Sequence, residues 1–366
     1  MRVEELCTYA PKSGIKAGDA TQDGDYMFFT SSEDESKRFP DYQFDGEGII
    51  MGTGGNATLH YYSGKYAVST DCVVLLPDGR VKCKFLYYFF LANMPLLEAG
   101  FKGAGLKHTN KKYIGNIEFG EIPPLHEQDN VINVLDRIAR IIQGRNRELA
   151  ALDDLIKARF VEMFGEPDTN PLCWPEKLLS KMLDVLGGYA FKSDGFSETN
   201  GIPVLRIGNI NAGFYKPVNM VFWEEDERLE RYIMHPGDLV MSLTGTVGKD
   251  DYGNVCILGS EYPKYYLNQR NAKLELKEGL EKHYLSQLLR FEKIKKRLTG
   301  ISRGVRQANI SNKDILSLRV PIPPLKLQQQ FATFVAQIDK SKYVVQNCSS
   351  IVMPLRCLMN FFDKEL

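Results

Sequence analysis

The chain has 366 residues, 43% hydrophobic and 25% charged, which is ordinary globular composition for about two or three domains. Lys+Arg and Asp+Glu balance at 46 each, so global charge selects no partner and only local charge can do so. Seven cysteines, at 7, 72, 83, 173, 256, 348 and 357, form no CxxC pair and have no histidine at ligand spacing; they read as reduced core thiols, with no metal site.

The N-terminal stretch MRVEELCTYAPKSG has no apolar core behind a basic start, so no secretory signal is expected and the chain is expected to be cytoplasmic. Strand-like runs follow at 48–51, 59–62 and 72–76, broken by Gly-rich and Asp-Gly turns. GTGGN at 52–56 has the look of a phosphate loop. The following ATLHYYSGKY reads as another strand, however, and a tight turn needing positive φ is the better account. The apolar run FLYYFFLANMPLL at 85–97 is too short, and too broken by Asn93 and Pro95, to span a bilayer; it reads as a buried helix, and no membrane partner is expected.

From Glu121 the chain reads EIPPLHEQDNVINVLDRIARI, and from Val320 it reads VPIPPLKLQQQFATFVAQID. Pro123, Pro124, Leu125 and Gln128 match Pro323, Pro324, Leu325 and Gln328 at a constant offset of 200, so the chain is an internal repeat. After the first proline pair, Val131, Leu135, Ile138, Ile142, Leu149, Leu152, Ile156 and Met163 fall on steps of four and three, with Arg145 and Arg159 at the remaining seam positions. The pattern predicts a helix from just after Pro124 to near Gly165, roughly 55–60 Å long.

Between the repeats, IPVLRIGNI, GDLVMSLTGTVGK, GNVCILGS and LNQRNAKLELK restore the β-rich rhythm. The second helix carries Phe331, Val335, Ile338, Val345, Val352, Met359 and Phe362. Lys342 and Ser349 interrupt its seam, and Pro354 is expected to kink it. Each helix offers the other a stripe to bury, so the two are expected to pair. The predicted fold is mixed α+β: β-rich domains at 1–122 and 166–322, joined by helices at 123–165 and 323–366 in an antiparallel coiled coil, as a pseudo-two-fold repeat.

Before each proline pair lies a basic loop. Arg290, Lys293, Lys295, Lys296, Arg297, Arg303, Arg306, Lys313 and Arg319 face only Glu292 and Asp314, and the first copy has Lys102, Lys107, His108, Lys111 and Lys112. Thr109, Asn110, Gln307 and Asn309 are interleaved, which combines phosphate-binding cations with side chains able to read base edges. A solvated helix face is the bland alternative, but recurrence before the same motif favours nucleic acid. The loops align with Gly105 beside Gly304, Lys107 beside Arg306 and Asn110 beside Asn309. Thr53, Asn56, Arg206, Asn209, Thr244, Thr246, Lys249 and Arg270, in the glycine loops and at strand ends, complete the candidate DNA contacts.

A metal-dependent nuclease would use Asp251 with Glu275 and Lys277, although these also fit an exposed strand edge and the first repeat has no equivalent. The histidines are scattered, and no Ser/His/Asp grouping emerges. Trp174 and Trp223 read as core or domain-edge residues, and Tyr61, Tyr62 and Tyr215 as packed rather than base-stacking.

Taken together, IPPLHEQ, LDDLIKARFVEMFG, PVLRIGNI, GDLVMSLTGTVG, GVRQANISNKDILSLRVPIPPLKLQQQ and the paired IPPL segments resemble the specificity subunit of type I restriction-modification enzymes over essentially the whole chain. KLQQQ in place of an acidic HEQ-like start, and Pro354, depart from the pattern in the second helix. The resemblance implies two target-recognition domains that read an asymmetric, bipartite site on double-stranded DNA. It also implies two methyltransferase subunits that methylate adenine N6, with two restriction subunits able to join them. The specificity chain would then be non-catalytic and hold no cofactor, S-adenosylmethionine, ATP and Mg belonging to the partners. In agreement, no Asn-Pro-Pro-Tyr or Asp-Pro-Pro-Tyr motif and no Walker A loop occurs. A specificity subunit for a fused methyltransferase-nuclease would look the same. The helix length would act as a ruler between half-sites more than one DNA turn apart.

Overall fold

The computed structural model describes residues 1–103, 105–210, 213–246, 251–300 and 307–351, with side chains described except at 307 and 343–351. Two compact units divide it, Met1–Arg147 together with the described residues from Gln346, and Glu148–Val345.

The first unit is built on β1 (Cys7–Tyr9), β2 (Tyr26–Phe29), β3 (Arg38–Phe39), β4 (Phe44–Gly52), β5 (Leu59–Val68) and β6 (Cys72–Pro77), in the sheet order β1-β6-β4-β5-β2-β3. All pairs are antiparallel except β2 with β5. Side chains alternate across a strand. Ile49 and Met51 therefore join one core with Leu75, Leu86 and Phe90, while Ile50 joins another with Phe29, Tyr66 and Val74. Burial on both faces explains the unbroken apolar run at 49–51. The 85–97 run forms α1 (Cys83–Ala92) and α2 (Met94–Glu98), divided at Asn93 with Pro95 in the first turn of α2, and α3 is Lys111–Gly115.

The long helix α4 is Leu125–Phe164, starting after Pro124 and stopping where Gly165 adopts φ +76°, a conformation that costs glycine little. Its first turns close the first unit. Val131 and Ile132 pack on the core, and Asp136 accepts from Lys84 Nζ at 2.8 Å and Tyr88 Oη at 2.5 Å.

The second unit contains β7 (Glu176–Leu178), β8 (Leu183–Gly187), β9 (Ile202–Leu205), β10 (Val221–Trp223), β11 (Ile233–Met234), β12 (Leu239–Ser242), β13 (Thr244–Thr246), β14 (Val255–Ile257), β15 (Tyr265–Leu267), β16 (Asn271–Leu276), β17 (Gln307–Asn309) and β18 (Arg319–Pro321). The sheets run β14-β12-β16-β8 and β10-β9-β15-β11, with β13 paired to β17 and β18 to β7. Helices α5 (Lys282–Arg290), α6 (Glu292–Thr299), α7 (Asn312–Ser317) and α8 (Leu325–Ile351) follow.

Within this unit the end of α4 and the start of α8 run antiparallel. Phe160 and Phe164 lie 5.4 and 5.6 Å from Phe331, the Arg159 guanidinium sits 5.8 Å over Phe334, and Lys342 pairs with Asp153 at 2.5 Å. The heptad grid needs one revision here. Past Ile156 the fully buried positions are Phe160 and Phe164, at steps of four, while the expected seam residues Arg159 and Met163 are half-buried, Met163 against the same core and Arg159 over Phe334 and paired with Glu162 at 2.7 Å. These turns pack into a globular core with Tyr284 and Phe291 as well as along α8, so the buried stripe is wider than a two-helix seam. Of the other seam residues, Leu135, Ile156, Phe331 and Val335 are buried, and Val131, Ile138, Ile142, Leu149, Leu152 and Ile338 are half-buried. The side chain of Val345, and all of Val352, Pro354, Met359 and Phe362, lie outside the described residues.

Candidate nucleic-acid interface

In the first unit, Thr53 leaves β4 as a hub. Its N–H and Oγ1 both donate to the Asp71 carbonyl at 2.8 Å, and its own carbonyl accepts from the Thr109 N–H at 3.0 Å. Gly55 N–H donates to the Lys107 carbonyl at 2.8 Å, and Lys102 and His108 exchange both backbone bonds at 3.0 Å. Thr53, Lys102, Lys107, His108 and Thr109 are thus brought together, with exposed Asn56 one residue beyond Gly55. Ser31 was not singled out from the sequence. Its Oγ accepts from the N–H groups of Thr53 and Gly54 at 3.1 and 3.4 Å and donates to the Asp71 carbonyl at 2.6 Å, bracing the same turn. Asn110 is diverted, its Oδ1 accepting from Tyr113 N–H at 2.9 Å to cap α3. Lys111 lies 4.9 Å over the Tyr9 ring, and Lys112 is exposed.

Leu243 repeats the hub in the second unit. Its N–H donates to the Arg270 carbonyl and its carbonyl accepts from Ile310 N–H, both at 2.8 Å. Beyond it, β13 pairs with β17, placing Thr244 opposite Asn309 and Thr246 opposite Gln307. These bonds correct the alignment of the two loops. The cap of α7 is Ser311, which accepts from Asp314 N–H at 3.2 Å, so the counterpart of Asn110 lies two residues past Asn309. Backbone pairing sets the register, and matching amides in loops of unequal length does not reveal it. Lys249, Arg303 and Arg306 lie outside the described residues, as does the side chain of Gln307.

Other candidates are committed elsewhere. Asn209 is 2% exposed, accepts from Arg206 N–H at 2.9 Å and donates to the Lys216 and Val218 carbonyls at 3.0 Å. Its amide capacity is spent, so it is a loop brace rather than a base reader. The Arg206 guanidinium donates to the Asn219 carbonyl and braces the same loop. On α6, Lys293 pairs with Asp168 at 2.7 Å, and hydrogen bonding within the pair holds the carboxyl below and the ammonium above their ordinary ranges. Lys296 pairs with Glu292 one turn away. Lys295 donates to Asn254 Oδ1 at 2.8 Å, Arg290 to the Gly213 carbonyl at 2.5 Å and Arg297 to the Arg319 carbonyl at 2.9 Å. Much of the cation run therefore organises the unit itself.

The nuclease alternative is not supported. Asp251 accepts from the Thr246 N–H and hydroxyl at 2.8 and 3.0 Å, closing the β13 loop. Glu275 faces Asp184 across β16–β8, while Ser242, on the β13 side, faces Asn271. At about 3.3 Å per residue, roughly 13 Å of strand separates Glu275 from Asn271. Lys277 pairs with Asp184 at 2.7 Å, and no group of His, Cys, Asp and Glu among the described residues suits a metal ion.

A family model described as "Type I restriction modification DNA specificity domain" matches residues 1–151 and 171–345. The chain is 27% identical over 315 residues to the type I restriction enzyme MjaVIII specificity subunit of Methanocaldococcus jannaschii, covering 80% of this chain and 72% of that one. It is 24% identical over 290 residues to the EcoKI specificity subunit of Escherichia coli K12, covering 73% of this chain and 61% of that one. In fold it resembles the type I restriction-modification S subunit of M. genitalium, with a TM-score of 0.58 at 15% identity over 98% of this chain and 93% of that one.

Proposed function

Because this chain belongs to the type I restriction-modification DNA specificity family, and is a non-catalytic specificity subunit, we propose that each of its two units reads one half of an asymmetric, bipartite site on double-stranded DNA. The recognition domains are assigned to 1–122 and 166–322 and the spacer helices to 123–165 and 323–366. In this reading the chain directs two adenine-N6 methyltransferase subunits, and restriction subunits where present, to that site in the cytoplasm. S-adenosylmethionine, ATP and Mg act in those partners.

The observation that carries the reading is the repeated hub. In both units the residue after a central strand is bonded between a turn and the segment that precedes the proline pair. The side chains on that frame differ: Thr53, Lys107 and His108 in one, and Thr244, Arg270 and Asn309 in the other. Phosphate contacts position a protein on DNA and base-edge contacts specify sequence, so like frames carrying unlike side chains suit unlike half-sites.

The test is a genome-wide map of adenine methylation with the gene present and deleted. Loss of methylation at one asymmetric, gapped motif is the expected result. Survival of every methylated motif in a strain that expresses the chain and its methyltransferase partner overturns the proposal.

A further inference from the structure

One turn recurs in both units with the same backbone bonds. In the first it is 69–72: Cys72 N–H donates to the Ser69 carbonyl at 3.1 Å, Thr70 N–H to the Ile15 carbonyl at 2.8 Å, and the Asp71 carbonyl receives the hub bond from Thr53. In the second it is 268–271: Asn271 N–H donates to the Asn268 carbonyl and Gln269 N–H to the Tyr189 carbonyl, both at 2.9 Å, and the Arg270 carbonyl receives the hub bond from Leu243.

The second turn is heavily over-determined. Arg270 N–H reaches Asn268 Oδ1 at 3.3 Å, Gly188 N–H reaches the Asn271 carbonyl at 3.2 Å, and the buried Asn271 amide donates to the Leu205 carbonyl at 2.7 Å. A Cβ at Gly188 would lie 2.2 Å from the Asn268 carbonyl oxygen, so only glycine admits this approach. Turn corners are normally small or turn-forming residues. Here they are Gln269 and Arg270, both exposed, and neither side chain has a hydrogen-bond or ion-pair partner among the described residues. Rigid backbone beneath uncommitted long polar side chains is the arrangement a recognition site requires. The equivalent corners in the first unit are Thr70 and Asp71, with one Asp71 oxygen already held by Ser69. One frame thus presents different chemistry in each unit.

We infer that Gln269 and Arg270 are base-reading residues of the second unit, Gln269 taking the N6/N7 edge of an adenine and Arg270 the O6/N7 edge of a guanine in the major groove. The inference rests on the proposed DNA-reading function and adds the bases to it.

The test uses the chain assembled with its methyltransferase partner, on duplexes in which each base pair of the mapped motif is substituted singly, with binding read by fluorescence anisotropy at fixed salt. Gln269→Ala is expected to lose about 5- to 150-fold of discrimination at one A·T position of one half-site, and Arg270→Ala the same at a G·C position. Gln269→Glu is expected to move the first preference toward cytosine, whose N4 donates to a carboxylate. The turn is held by backbone bonds, so the thermal midpoint stays unchanged. Unchanged discrimination in both alanine variants overturns the inference while leaving the parent reading intact. Uniform weakening across all duplexes with a shallower salt dependence also overturns it, by making these residues phosphate contacts. A wild-type complex without sequence preference overturns the parent reading, and this inference with it.

Discussion

Gln128 and Gln328 occupy the same hydrogen-bonded socket in the two repeats. Gln128 Oε1 accepts from Lys82 N–H at 2.7 Å, and its Nε2 donates to the Arg80 and Pro123 carbonyls at 3.0 and 2.8 Å. Gln328 Oε1 accepts from Glu281 N–H at 2.9 Å, and its Nε2 donates to the Gly279 and Pro323 carbonyls at 3.2 and 2.8 Å. Lys82 and Glu281 are the N-caps of α1 and α5. The motif is written twice because a buried amide ties the start of each long helix to the start of the helix that packs beside it.

Truncating either amide strands an N–H and two carbonyls in the interior. Gln128→Ala and Gln328→Ala are each expected to destabilise the chain by about 1–3 kcal/mol, seen as a lower urea midpoint. A midpoint equal to wild type would show that water replaces the amide without cost.

Phe160 is 1% exposed, with the rings of Phe164, Tyr284, Phe291 and Phe331 at 4.9, 5.3, 5.1 and 5.4 Å. Phe160→Ala should cost about 3–5 kcal/mol, whereas truncation of exposed Leu155 should cost far less. Equal losses in the two variants, compared by urea denaturation, would contradict this placement of the core.

Lys107 is exposed, and its carbonyl is bonded to the Gly55 turn. Lys107→Ala is expected to weaken DNA binding about equally on all sequences and to reduce the slope of log K against log salt by about 0.9. A change confined to one base position would make it a reader instead.

Asn209→Ala is expected to loosen the loop at 213–219 and lower thermal stability, with base preferences unchanged in the protein that remains folded. A shifted recognition motif with full stability would restore Asn209 to the DNA surface.

Burial pushes the thiols of Cys7, Cys83 and Cys256 up to about 12 and that of Cys72 up to about 11, chiefly by desolvating the thiolate. Among the described cysteine side chains, exposed Cys173 should be alkylated first at pH 8, as read by peptide mass mapping. The sign for stability follows from linkage. The unfolded chain releases these protons near the ordinary thiol value of 9.0 and the folded chain only near 11 to 12, so the unfolded state binds fewer protons and stability falls as pH rises through that window.

The sequence by itself determined the repeat, the class of fold and the family. The proline pairs, the buried glutamines and the heptad stripe are local signals, each dictated by backbone chemistry or helical period over a few residues. The strands at 48–51, 59–62 and 72–76 were legible for the same reason. What only the tertiary structure decided depends on partners distant in the chain. It added Phe160 and Phe164 to the stripe beside Arg159 and Met163, because the end of α4 packs into a globular core as well as on α8. It turned Asn209 inward, because its partners are the carbonyls of Lys216 and Val218, and it made Ser311 the counterpart of Asn110, because a cap is defined by the N–H it receives. It also placed Gln269 and Arg270 at the corner of a fixed turn. Nothing in LNQRNAK announces that corner, since the bonds that hold it come from Tyr189, Gly188 and Leu243, and hydrogen bonds between residues remote in sequence leave no periodic trace in it.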